Sequence, residues 1–148
     1  MIRPQLLLLC LALSLLIACD SEDDVNAIFV GRTWHITSVT VDGETLNGDD
    51  IKELYTYSSS YYITFAGSTF TGALVAGSSI AGRWTADGSN HTFSLSFTTA
   101  NQVNASTVSA YVYDILRNAS AYAGDQNTLR IKQDNNNYIL LSSSSTTL

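Results

Sequence analysis

Cys19 carries the reactive group with the most specific surroundings in this sequence of 148 residues. It follows Leu16-Ile17-Ala18, so a small residue sits directly before a thiol at the end of an apolar run. That run, Leu6 to Ile17, is apolar apart from Cys10 and Ser14, and Arg3 places a positive charge ahead of it. Twelve residues make a secretory signal core, whereas a bilayer span needs about 20. Other chemistry-bearing residues are sparse. His35 and His91 are the two histidines, and neither lies in a His-x-x-x-His spacing that would seat zinc. No Gly-x-Ser-x-Gly elbow presents a serine nucleophile. Asp49, Asp50 and Glu53 have the residue types of an acid pair for glycoside chemistry, but at a helix start they are more simply dipole partners. The sequence therefore offers no catalytic residue, no metal site and no cofactor.

Leu16-Ile17-Ala18-Cys19 resembles the lipobox of bacterial lipoproteins: a branched apolar residue, an apolar or small one, a small one, then Cys. The resemblance implies that the Cys19 thiol receives a diacylglycerol thioether. It also implies cleavage between Ala18 and Cys19 and acylation of the new N-terminus. Two or three acyl chains, at about 0.8 kcal/mol per buried CH₂, anchor stably where one does not. Residues 1–18 are then a lipoprotein signal peptide, and the membrane is a partner through the N-terminal acyl chains. Residues 19–26 read as an acidic flexible tether, because Asp20-Ser21-Glu22-Asp23-Asp24 holds four acids in five positions and nothing that packs. An acidic run after the lipidated cysteine resembles the export signal of surface lipoproteins of the Bacteroides group. It implies an outer-membrane lipoprotein on the cell surface, with a periplasm-facing location as the alternative.

Without residues 1–18 the chain has 130 residues, one domain by length, and its formal charge moves from −6 to −7 as Arg3 is lost. Its six basic residues, Arg32, Lys52, Arg83, Arg117, Arg130 and Lys132, are scattered through an acidic chain, which argues against a nucleic-acid partner. Cys10 leaves with the signal and Cys19 is acylated, so the domain has no thiol for a disulfide or for catalysis. Its stability must come from packing.

The elements that would carry any site are mostly strands. Trp34 and Ile36 alternate onto one face, while Val39 and Val41 fall out of phase with them. That break predicts a bulge or bend near Thr37-Ser38. Asp42-Gly43 is a hairpin turn, and a short helix is expected over Ile51–Tyr55. Further strands are expected at Tyr61–Phe65, Thr69–Val75, Ile80–Ala86, His91–Thr98, Thr128–Gln133 and Tyr138–Ser142. Val108, Tyr111, Val112, Ile115, Leu116 and Ala119 form a helical stripe with Ser106 as N-cap. The fold class is mainly β: an antiparallel meander of about eight strands, a small barrel or a curled sheet, with one helix near 107–120 and a single domain over 27–148.

Gly31-x-x-Trp34 on the first strand of such a meander resembles the lipocalin-like (calycin) domains, here as a small lipoprotein of the Bacteroides group. The family's layout implies that Trp34 closes one end of a barrel and that Arg130 from a late strand packs across its ring, a cation–π contact of about 0.5–2 kcal/mol. The Gly-to-Trp spacing is one residue longer than the stricter Gly-x-Trp, and a full hairpin follows the helix where the family has one strand. Tyr55, Tyr57, Tyr61 and Tyr62 cluster within eight residues, as the face of a glycan site or the rim of a barrel would. The candidate ligand-binding residues are Trp34, Tyr61, Ile63, Phe65, Trp84 and Phe97. The expected function is non-enzymatic: a lipid-anchored envelope protein that binds a small apolar or amphipathic ligand or a glycan. The alternative is a structural or interaction lipoprotein, a partner subunit or inhibitor with no pocket. A cavity of several hundred Å³ lined by Trp34, Phe65 or Phe97 would favour the first, and a solid interior the second.

Overall fold

Residues 23–145 are described in a computed structural model. Ala18, Cys19 and the first part of the tether lie outside the described residues. The elements run α1 (Val25–Phe29), β1 (Arg32–Val41), β2 (Glu44–Thr45), α2 (Asp49–Glu53), β3 (Tyr62–Ala66) and β4 (Thr69–Ala73). They continue as β5 (Ser79–Asp87), β6 (Thr92–Asn101), α3 (Thr107–Arg117), β7 (Ala121–Gly124), β8 (Thr128–Lys132) and β9 (Tyr138–Ser145). The strands form one antiparallel sheet in the order β2-β1-β3-β4-β5-β6-β7-β8-β9, and β1 pairs again with β9, so the sheet curls into a ring. One edge of β1 is taken by β9 along its length, the other by β3 near its start and by β2 near its end.

The expected bulge is present. The β1–β9 register shifts between Ile36 and Ser38, which turns Val39 inward beside Trp34 and Ile36, all three buried. The inward residues of every long strand meet in one core. At roughly 1.5–3 kcal/mol for each large apolar side chain taken from water, this single core accounts for a domain without disulfides. Gly82, at a second register shift in β5, has the closest backbone neighbour of the glycines in the ring. A Cβ there would lie 1.9 Å from the Ser96 carbonyl oxygen.

Closure is uneven. β6 and β7 share one residue pair, Thr92 and Ala121, and α3 packs along the rest of β6, with Tyr113 edge-on to Phe97 at 5.1 Å. The stripe on α3 buries Val108, Val112, Ile115 and Leu116, while Tyr111 turns partly to solvent. Ser106 caps the helix as expected: its hydroxyl accepts from the Ser109 N–H, and Ser109 Oγ accepts from the Ser106 N–H.

The antiparallel order gives the ring two distinct ends. At one lie α1 and the β3–β4, β5–β6 and β7–β8 turns. At the other lie the β1–β2 turn, α2, the β4–β5 and β6–α3 loops and the β8–β9 turn.

Three expectations change. β7 is a ninth strand where none was expected; only Tyr122 of its four residues is buried, too short a pattern to read as alternation. α2 starts at Asp49 rather than Ile51, behind a Gly48 cap that makes no side-chain hydrogen bond. Residues 23–26, read as tether, belong to the domain. Asp24 caps α1 by accepting from the Ala27 N–H at 3.0 Å, and α1 delivers Phe29 to the centre of the core. Phe29 is wholly buried, with ring centroids of Phe65, Trp84, Phe93 and Tyr122 at 5.0–5.3 Å.

Candidate functional site

The sequence-predicted ligand residues divide. Trp34, Ile63, Phe65 and Trp84 are brought together, but in the packed core and not around a space. Trp34 lies opposite Ile63 across β1 and β3, and Phe65 meets Trp84 edge-on at 5.1 Å. Trp34 donates its Nε1–H to the Phe29 carbonyl at 3.1 Å. Phe97 is partly buried between Phe70 and Tyr113. The expected Trp34–Arg130 pair does not form. Trp34 points into the ring, whereas Arg130 follows buried Leu129 and precedes buried Ile131, so strand alternation turns it outward. Its guanidinium lies 4.5 Å from the Tyr138 ring centroid instead.

Of the six, Tyr61 lines a cleft. At the α2 end a cleft of about 430 Å³ is bounded by α2, the segment after it and the β4–β5 loop, with Glu53, Tyr57, Ser60, Tyr61 and Val75 among its walls. The clefts of about 400 and 380 Å³ elsewhere lie against β7–β9 and against the β5–β6 hairpin. None of these three is lined by Trp34, Phe65 or Phe97.

The α2-end cleft is built around a part-buried hydrogen-bond cluster. The Tyr61 hydroxyl and the Ser106 hydroxyl both donate to Glu53 Oε1. The last residue of α2 and the residue leading into β3, eight positions apart, thus converge with the N-cap of α3, 53 positions beyond Glu53. A carboxylate beside a helix N-terminus is favourably placed against the helix dipole. Burial first, and the Glu53 carboxylate next, push the Tyr61 hydroxyl well above the ordinary tyrosine pKa, so it stays a donor. Tyr61 also holds φ at +52°, a left-handed conformation uncommon for an aromatic residue, fixed by the Tyr61 N–H donating to Leu74 and the Ile36 N–H donating to Tyr61. The cleft floor is therefore rigid. Ser60 is fixed the same way, its hydroxyl donating to the Tyr57 carbonyl. Above this floor Tyr57 is 59% exposed. The rim carries Asp49 and Lys52, paired at 2.8 Å but both open to water, so the pair adds little stability. With Glu53 the cleft has an acidic balance.

Sequence reasoning placed Ser106 as a cap and Glu53 as a dipole partner, each from local context. Their meeting across 53 positions leaves no local signature. The cluster can hold a polar ligand by hydrogen bonds and a ring by stacking.

Residues 20–143 match the profile of DUF4847, a domain of unknown function. The chain belongs to the DUF4847 family. A solved member, the crystal structure of a DUF4847 family protein from Bacteroides vulgatus ATCC 8482, is similar in fold. The identity is 22% and the TM-score 0.65, over 83% of this chain and 99% of that one. No curated protein matches the sequence.

The histidines of this DUF4847 chain serve separate surroundings. His35 leans toward Tyr62, with ring centroids 6.5 Å apart. His91 Nε2 meets Asp23 Oδ2 at 3.0 Å. Among the described residues no three His, Cys, Asp or Glu side chains converge where a metal could sit.

Proposed function

We propose that this DUF4847 protein is a non-enzymatic, lipid-anchored envelope protein that binds a glycan in the cleft at the α2 end. The domain is lipocalin-like in layout, with Gly31-x-x-Trp34 leading into its first strand, but it does not use the barrel interior. One observation carries this reading: the interior is packed with side chains, while the α2-end cleft combines an exposed aromatic face with a rigid, hydrogen-bonded polar floor. Sugar rings stack on aromatic faces, and their hydroxyls suit carboxylate and hydroxyl partners. An acidic cleft selects neutral over anionic saccharides. The lipobox at Leu16–Cys19 supports anchoring, and the acidic run behind it supports display on the cell surface. Protease shaving of intact cells separates that from a periplasm-facing location.

Titrating neutral oligosaccharides into the isotopically labelled domain tests the site. Resonance shifts should be confined to Tyr57, Ser60, Tyr61 and Val75, and Tyr57→Ala should abolish them with the fold intact. Shifts scattered over the surface, or none at millimolar saccharide, would refute it. The solid interior also favours a second reading, an interaction lipoprotein whose partner is a protein. Cross-linking from Tyr57 to one defined partner in intact cells, without saccharide binding, would establish that reading instead.

A further inference from the structure

Asp23 is strapped to the end of the ring opposite the cleft. Asp23 Oδ2 meets His91 Nε2 at 3.0 Å and accepts from the Tyr122 hydroxyl at 3.0 Å. The Asp23 N–H donates to the Gly88 carbonyl at 3.3 Å. Gly88 has no room for a side chain, since a Cβ would lie 2.2 Å from the Asp23 carbonyl oxygen. Behind the strap, Arg32 donates to the Ala27 carbonyl at 2.9 Å and to the Gln126 carbonyl at 2.7 Å. Together these contacts hold Asp23 against the β5–β6 turn.

Three residues, Asp20, Ser21 and Glu22, separate Asp23 from Cys19. Four Cα–Cα steps reach about 15 Å at most. The ten-residue strand β1 runs about 33 Å, which at the tilt usual for a closed ring is a height of roughly 25 Å. The tether is shorter than the domain is tall.

We propose that the α1 end, with its β3–β4, β5–β6 and β7–β8 turns, faces the lipid surface that holds the Cys19 acyl chains, and that the glycan cleft points away from it. The proposal rests on acylation of Cys19, as argued above. A chain strapped at Asp23 cannot invert: bringing α2 to the headgroups would demand a tether at least as long as the barrel height. Asp24, Asp87 and Asp125 lie at the same end and offer nothing to anionic headgroups, while Arg32 is engaged with the Ala27 and Gln126 carbonyls and Arg117 with Asp114, so tether length rather than surface charge is the argument for the orientation.

The test uses the full acylated chain in phosphatidylethanolamine–phosphatidylglycerol vesicles with a headgroup-attached nitroxide quencher. With Cys19 acylated, a single introduced thiol takes the fluorophore: Ser68→Cys in the β3–β4 turn, or Asn135→Cys in the β8–β9 turn. Quenching at Ser68→Cys should exceed that at Asn135→Cys several-fold, and raising salt should leave the ratio unchanged. Inserting about 20 Gly/Ser residues after Glu22, with a reach of about 25 Å, should bring the ratio to one while the melting temperature holds. Equal quenching at both positions, with acylation of Cys19 confirmed by mass spectrometry, overturns the orientation alone. An unchanged ratio in the long-linker variant overturns the strap as its cause. An unacylated Cys19 overturns both the orientation and the anchoring reading.

Discussion

Truncating Phe29 to alanine removes the side chain that ties the N-terminal segment to the core. The ring is wholly buried. It stacks on Phe93 at 5.3 Å and meets Phe65, Trp84 and Tyr122 at 5.2, 5.0 and 5.2 Å. Losing a buried phenylalanine costs about 3–5 kcal/mol, transfer and cavity together. Aromatic pairs add about 0.5–1.5 kcal/mol each beyond area. Strand backbones on every side limit collapse into the gap, so about 4 kcal/mol is expected. At an unfolding entropy of about 2.1 cal/mol/K per residue over some 120 residues, that is a fall in Tm of about 15 °C. Thermal melts followed by circular dichroism read the shift, and urea midpoints at constant m-value confirm that the folded state is unchanged in extent. Limited proteolysis should then cut within 24–30 first, because α1 has lost its deepest anchor. A shift below about 5 °C would refute the reasoning. It would mean that α1 is not seated in solution, and the strap at Asp23 would lose its support.

Other outcomes follow from particular contacts. Asp125, Asp134 and Asp87 each accept hydrogen bonds in a turn: Asp125 from the Thr128 and Asn127 N–H, Asp134 from Asn136 and Asn137, and Asp87 from Ser89 and Asn90. These contacts hold all three carboxyls below the usual carboxylate range. Their contribution is present above the unfolded-state pKa of about 3.9 and is lost as pH falls through the lower folded-state values. Tm should therefore drop below about pH 4, and D87N/D125N/D134N should flatten that limb. Tyr61 stays protonated when folded, so stability should fall as pH rises past about 10, where an unfolded tyrosine ionises. Tyr61→Phe should flatten that alkaline limb while lowering stability at pH 7 by about 1–2 kcal/mol, measured by urea denaturation. Gly82→Ala forces the backbone at Ser96 to move and should cost about 3 kcal/mol or more, read as reduced soluble yield and an earlier melt.

The sheet was legible because its code is local. Phe93, Leu95 and Phe97 alternate with polar residues, and the phase break at Thr37-Ser38 announces the bulge where β1 shifts register against β9. The helix over 107–117 was legible for the same reason, from its cap and stripe. β7 was not, because one buried tyrosine in four residues carries no period. α1 was hidden by its neighbours: an acidic run reads as solvated, yet Asp23 and Asp24 find His91 and a helix cap. The candidate site was half legible. The tyrosine cluster falls in the segment that lines the α2-end cleft, but alternation cannot tell a residue that lines a cavity from one that fills it. Trp34, Phe65 and Trp84 therefore read as ligand contacts when they are the filling.

That filling bears directly on where any ligand can bind. A ring of eight strands has an interior just wide enough to be filled by side chains or to hold one small ligand. Here the chain inserts Phe29 from α1 and the buried stripe of α3 in addition to the strand residues. A ligand seated inside would have to displace Phe29 and forgo its roughly 4 kcal/mol. A penalty of that size weakens apparent affinity about a thousandfold. A ligand in the α2-end cleft would displace no core side chain, and Glu53, Tyr61 and Ser106 already satisfy one another there. The α1 end is occupied by its own helix and strap. The same residues that stabilise the domain without disulfides thus argue for the α2-end cleft, and against the interior, as the seat of the proposed ligand.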